Sequence, residues 1–209
     1  MEEEQPVTAL SVYTGGKDIA RRQPGISVRE VYLDGKLLKA EEVNEEEKSF
    51  GIFMHSLVLS NYAEMMKVDK SHTLLVGEDY EKAIYNYTCS KGFDKKLMES
   101  IAPKVDGLSF SYEDDLKVST RVINDKMRII SKGTPEQLLN RCTYILVESK
   151  LVKITRKISR VINEVIRDML SRCISVYAIA IKDELSAEQR HYSGMLIGNM
   201  TLVGLVGLR

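Results

Sequence analysis

Lys132-Gly133-Thr134-Pro135-Glu136 places a lysine, a glycine and a proline in close succession between a hydrophobic run, Met127-Arg128-Ile129-Ile130, and an amphipathic stretch. This order predicts a strand, a tight turn and a helix start. Gly133 permits close backbone approach with no side chain in the way. Pro135 suits a helix's first turn, because its φ is pre-set and its missing amide would be unpaired there. Lys132 is then held at a strand end, where an ammonium can meet a phosphate or an aromatic face. The same residues fit a plain strand-to-helix turn with a solvated lysine, so spacing alone leaves both readings open.

Other routes to chemistry are poorly furnished. Gly15-Gly16-Lys17-Asp18 lacks the Ser/Thr and the earlier glycine of a Walker A loop, no Gly-x-Gly-x-x-Gly occurs, and no Ser/His/Asp set has telling spacing. No catalytic residue is assigned. Cys89, Cys142 and Cys173 show no CxxC spacing and lie far from His55, His72 and His191, which argues for a reducing compartment and against a structural zinc site. With 30 basic and 30 acidic residues there is no global field to attract nucleic acid or an anionic membrane. No apolar run approaches the ~20 residues that span a bilayer, and Met1-Glu2-Glu3-Glu4 is unlike a signal-peptide start. The expected chain is cytoplasmic, with no membrane insertion of its own.

The elements that must position Lys132 follow from hydrophobic period and turn chemistry. Residues 1–27 form an irregular opening segment, rich in turn residues, and the body runs from 28 to 209. Val28 to Leu33 alternates as a strand, and Asp34-Gly35 turns it into a hairpin. Helices are expected from Phe50 to about Met66, from Glu78 to Tyr87, and from an Asp94 N-cap to Ile101. Short antiparallel strands follow at Leu108 to Phe110, Val118 to Ile123 and Met127 to Ile130, with Asn124-Asp125 as a turn. A helix through Leu139 to Cys142 comes next, then one with a stripe of Ile154, Ile158, Val161, Val165 and Met169. Strands at Ser175 to Ile181 and Met200 to Leu208 close the chain. The predicted class is α+β, with a mostly antiparallel sheet flanked by helical hairpins. Lys153, Arg156, Lys157 and Arg160 give the long helix a basic face, able to meet acidic lipid or a partner but equally suited to solvation while the apolar stripe packs. No aromatics interleave with these cations, which speaks against single-stranded nucleic acid.

The order of motifs resembles the nucleotide-binding (N) domain of cation-transporting P-type ATPases, in the calcium-pump-like branch, over about Val28 to Arg209. Val28-Arg29-Glu30-Val31-Tyr32-Leu33-Asp34-Gly35-Lys36 resembles the strand after the family's phosphorylation motif. Val76 to Ile84 is similar to its Gly-x-x-x-Glu-x-Ala-Leu helix start, and Ser109-Phe110-Ser111 to the strand whose Phe stacks on adenine. Lys132 to Glu136 resembles its Lys-Gly-Ala-Pro-Glu signature. Ala178 to Asp183 resembles the Leu-Ala-x-Arg/Lys strand, and Leu205 to Arg209 the run before Asp-Pro-Pro-Arg.

The resemblance implies that the chain binds ATP, as Mg-ATP in a parent protein, and works with phosphorylation and membrane domains of a parent pump. It implies that Phe110 stacks on adenine, Glu81 contacts the base edge, Lys132 and Gly133 line the adenine cleft, and Lys182 reaches toward the phosphates. Where the family has Asp-Lys-Thr-Gly-Thr this chain has Gly16-Lys17-Asp18-Ile19-Ala20, so no phosphoenzyme and no turnover are expected from it alone. After Phe110, the family's Arg-Lys pair is replaced by an acidic Glu113-Asp114-Asp115 cluster, which leaves Lys117 as the substitute cation. The alternative is a degenerate interaction or regulatory module of the same fold that has lost nucleotide.

Overall fold

The computed structural model describes residues 12–13, 25–69, 72–105, 110–111, 116–124, 126–184 and 198–209. Its strands are β1 (Val12–Tyr13), β2 (Val28–Leu33), β3 (Lys36–Lys39), β4 (Glu64–Lys67), β5 (Thr73–Val76), β6 (Phe110–Ser111), β7 (Lys117–Ile123), β8 (Lys126–Gly133), β9 (Cys142–Val147), β10 (Lys150–Lys153), β11 (Ser175–Glu184) and β12 (Met200–Leu208). Its helices are α1 (Phe50–Leu59), α2 (Asp79–Ser90), α3 (Lys95–Ile101), α4 (Pro135–Leu139) and α5 (Arg156–Ser171). The fold is α+β with a mostly antiparallel sheet, as expected. Gly16-Lys17-Asp18, the Glu113 to Asp115 cluster and the side chain of Phe110 lie outside the described residues.

The nine-stranded sheet runs β10-β9-β12-β11-β8-β7-β6, with β2 and β3 joined to it through β12. Strand β12 is its spine. All nine of its residues are buried. β11 pairs along it on one side; on the other, β9 runs parallel to its first residues and β2 antiparallel to its last. A smaller sheet, β1-β5-β4, stands apart.

Alternation in the central strands divides two cores. Ile130, Ile179 and Ile181 face one side with Phe53, Leu57 and Ile84 of α1 and α2. Ile129, Ala178 and Ala180 face the other, with Leu138 of α4 and Ile162, Ile166 and Met169 of α5. Burying each such aliphatic side chain is worth about 1.5 to 3 kcal/mol, so a one-residue slip in β8 or β11 would be severely penalised. That penalty fixes which face Lys132 takes.

The Asp34-Gly35 turn forms as predicted, both residues having positive φ (50° and 79°), which matches a tight hairpin to the strand twist. Asp34 does more than turn the chain. Its buried carboxylate accepts from the Ser49 amide at 2.9 Å, from the Ser49 hydroxyl, and from the Glu148 amide at 2.6 Å, tying the hairpin to the start of α1 and to the β9–β10 turn.

Three expectations need correction. α1 stops at Leu59 and does not reach Met66. The Ser56 and Ser60 hydroxyls bond back to the carbonyls of Ile52 and Ser56, and Asn61 accepts from the Ala63 amide while donating to the Glu81 carbonyl, which leads the chain out of the helix and into β4. Cys142 opens β9 instead of ending a helix, because α4 is a single short turn and Cys142 to Val147 is β-branched and aromatic enough to pair. The inward stripe of α5 is Ile162, Ile166 and Met169 with Ile158 and Val165 beside them; Val161 is exposed and Ile154 precedes the helix, which Thr155 caps.

Truncating Ile162 to Ala is expected to lower unfolding free energy by about 2 to 4 kcal/mol and Val161→Ala by less than about 1 kcal/mol. Urea titrations of the two variants compare these faces directly, and equal losses would contradict the observed rotation of α5.

Candidate functional site

Four of the residues singled out in sequence, Glu81, Lys117, Lys132 and Gly133, converge where α2 begins against β7 and β8. β5 delivers the chain to this point through Gly77, whose φ is +147° and whose absent Cβ would stand 3.0 Å from the Ala63 Cα. A larger residue would clash with that backbone. The chain then turns at Glu78 into α2, whose first turn carries Asp79 and Glu81, acids favoured by the unpaired amides there. Asn61 locks the helix start by donating to the Glu81 carbonyl at 2.8 Å.

Lys117 and Lys132 are direct register partners on β7 and β8, so two ammonium stems leave the same face of the sheet side by side. Like charges opposite one another destabilise a sheet, and the start of α2 answers with two carboxylates, one from its N-cap Glu78 and one from Glu81. Glu81 Oε2 accepts from Lys132 Nζ at 2.6 Å and from the Tyr62 amide at 3.2 Å, while its Oε1 lies 3.5 Å from Lys117 Nζ. Glu78 takes the other side of Lys117 at 3.0 Å. The side chains of Glu81 and Lys132 are each 1% exposed. Burial pushes the Lys132 ammonium down to about 8, with the Glu81 carboxylate holding it against a further fall. Lys117 and then Tyr80 hold the Glu78 carboxyl below its ordinary value.

Aromatic rings complete the cluster. Tyr80, half-buried on the first turn of α2, stacks on Tyr177 of β11 with ring centroids 4.6 Å apart and planes 9° from parallel. Lys117 Nζ lies 5.0 Å and Lys132 Nζ 5.6 Å from the centroid of the Tyr80 ring, and Lys117 is also 5.3 Å from that of Tyr62. Desolvation first, then Glu81, raises the Tyr80 phenol above its ordinary value. Beside the two tyrosines lies a cavity of about 320 Å³, also bordered by Asp79, Ser175 and Leu208.

Gly133 ends β8 next to this cluster, where a Cβ would come within 2.9 Å of the Leu116 side chain and 3.2 Å of Gln137 Oε1. Its value is close strand approach. Pro135 takes the first position of α4, and the Gln137 side chain accepts from the Thr134 amide at 3.4 Å. Lys132, expected at a strand end, is the penultimate residue of β8.

Glu81, Lys117, Lys132 and Gly133 are brought together. Lys182 is not: it pairs with Ile129, an odd number of residues from the Ile179–Lys132 pair, and so leaves the opposite face of the sheet. Phe110 pairs through its backbone with Val118, one residue from Lys117. Sequence reasoning missed Tyr80, Tyr177, Tyr62 and Glu78. Tyr80 immediately precedes Glu81, and a bulky aromatic at that point of a motif-bearing helix start was the available signal.

Residues 50–209 match the family described as P-type ATPase, cytoplasmic domain N. The endoplasmic reticulum calcium ATPase srcA of Aspergillus fumigatus is 32% identical over 120 residues, covering 53% of this chain and 12% of that protein. Calcium-transporting ATPase 1 of Bacillus cereus is 24% identical over 200 residues, 96% of this chain and 22% of that protein. The chain thus spans less than a quarter of either relative. Among the described residues no helix is long and apolar enough to cross a membrane.

Glu81→Gln leaves the Lys132 ammonium buried without its carboxylate, so unfolding free energy is expected to fall by about 3 kcal/mol, with part regained in the Glu81→Gln/Lys132→Met double variant. A urea double-mutant cycle measures this, and simple additivity would show that the pair is not coupled.

The depressed lysine also predicts a pH dependence. Lys132 sheds its proton near 8 when folded and at its ordinary, higher value when unfolded, so between the two the unfolded chain holds more protons and stability contributed by this group rises with pH. Wild type should therefore gain stability relative to Lys132→Met between pH 7.5 and 9.5. A constant gap in urea midpoints across that window would place the Lys132 titration elsewhere.

Proposed function

Because this chain belongs to the P-type ATPase family as its cytoplasmic domain N, we propose that it binds ATP and presents it to the phosphorylation domain of a parent cation pump. The observation that carries this reading is the meeting of Glu81 and Lys132, two family-motif residues 51 positions apart, at 2.6 Å between the start of α2 and one face of the sheet. The nucleotide-binding unit is residues 28–209, with 1–27 as an appended segment. ATP enters as Mg-ATP in the parent protein, whose other partners are its phosphorylation and membrane domains. Both relatives are named as calcium pumps, which makes calcium the first cation to test in that parent.

The side chains fit a purine nucleotide in kind. An aromatic ring and lysine stems form a slot for a flat base, Glu81 supplies an acceptor for an exocyclic amine, and Gly133 keeps bulk out of the strand end. Phe110 is assigned to stacking on the base and Lys182 to the phosphates, both by motif. In this mechanism the chain performs no bond making. It fixes the base end so that the γ-phosphate projects toward an aspartate on a neighbouring domain, and domain closure brings the two within reach.

A second reading, a degenerate interaction module, draws on a different observation: both lysines of the cluster already have carboxylate partners within the chain.

Calorimetric titration of ATP, with AMP and GTP as controls, separates the two. Saturable ATP binding at ~0.1 to 1 mM is expected in the wild type, and about tenfold weaker binding in Lys117→Gln, matching the loss of one charge-assisted contact worth about 1.5 kcal/mol. Lys132→Ala should weaken it further. Silence with several millimolar ATP would favour the interaction module.

A further inference from the structure

We infer that Tyr80 occupies the purine slot of this cleft as an internal competitor, so that a nucleotide binds only when the Tyr80 ring leaves its stack on Tyr177. This rests on the ATP-binding reading above and adds the residue that sets its affinity.

A base-binding slot needs a flat hydrophobic partner and cations that can approach the ring of its occupant. Both are in place around Tyr80. Tyr177 lies parallel beneath it at 4.6 Å, and two ammonium groups stand 5.0 and 5.6 Å from its centroid. The occupant of this constellation is the chain's own phenol. A purine and the Tyr80 ring cannot share the face of Tyr177, so one excludes the other. The position of Tyr80 allows an exchange without unfolding: it sits on the first turn of α2, is only half-buried, and adjoins the cavity of about 320 Å³ into which a ring can rotate. Glu81, next to it, keeps its backbone contacts through Tyr62 and Asn61 whichever way Tyr80 points. Apparent affinity is then the intrinsic affinity reduced by the fraction of molecules whose Tyr80 is out of the slot.

Tyr80→Ser removes the ring and Tyr80→Phe keeps it. ATP affinity of all three proteins is measured by calorimetry, and in parallel, without nucleotide, the rate of Lys132 acetylation by acetic anhydride is read by mass spectrometry against exposed Lys150. Circular dichroism and urea midpoints confirm folding. The expected result is at least tenfold tighter ATP binding and faster Lys132 acetylation in Tyr80→Ser, with Tyr80→Phe like wild type. ATP affinity that is unchanged or weaker in Tyr80→Ser overturns the assignment of Tyr80 and leaves ATP binding standing. Faster acetylation with no ATP binding by any variant keeps Tyr80 as the stopper over Lys132 but overturns its role in nucleotide affinity, together with the ATP-binding function.

Discussion

Lys132 and Glu81 meet at 2.6 Å with almost no solvent around either, and the surrounding geometry is organised to make that tolerable. Taking both charges out of water costs several kcal/mol per ion, recovered only if the partners are held close and the spare lone pairs are satisfied. The Tyr62 amide and Lys117 supply the additional contacts to Glu81. The strict register of β7 with β8 and the fixed entry of α2 through Gly77 supply the closeness. Removing either constraint would leave a buried ion facing hydrocarbon. The pair is therefore a demand on the fold as much as a product of it.

The two cores meet this demand together. Ile130 and Lys132 lie two residues apart on β8 and leave the same face, so the alternation that buries Ile130 against α1 and α2 also aims Lys132 at Glu81. The helices on the opposite face, α4 and α5, hold Ile129 and the alanines of β11 and so prevent the slip that would turn Lys132 away. Asp34 contributes from a distance by binding the first hairpin, the start of α1 and the β9–β10 turn through one carboxylate. Stability far from the cluster thereby becomes precision within it.

Much of this was legible in the chain itself. The strand at Val28 to Leu33, the Asp34-Gly35 turn, the Asp94 cap and the Gly133-Pro135 transition are local signals, and each formed where its chemistry placed it, although Val31 to Leu33 are buried on both faces. The early end of α1 was not legible, because Met65 and Met66 suit either period and the decision falls to Asn61 bonding to a residue twenty positions away. The β9–β10 turn was equally obscure. Glu148 and Ser149 adopt φ of 49° and 61° without glycine or asparagine, held by the Asp34 carboxylate and the Ser49 hydroxyl, partners some hundred residues distant. That Glu81 and Lys132 belong to one site came from motif order rather than physics; their ion pair was not anticipated, and the face of Lys182 could only come from register.

The cluster also frames what binding must overcome. Two lysines and two glutamates cancel, so an anionic ligand would meet little net field here, and a triphosphate would gain from Lys117 or Lys132 only by displacing a carboxylate already in contact. Exchange of one acceptor for another offsets much of the gross gain and leaves each lysine a modest net contribution, so ring stacking carries the larger share of the favourable free energy. A pocket built this way selects for the flat part of its ligand more than for its charge. If Tyr80 fills the slot as proposed, occupancy is coupled to rigidity: with the ring in place the ion pair stays dry and strong, and a ligand that displaced it would have to restore the same dryness to be held.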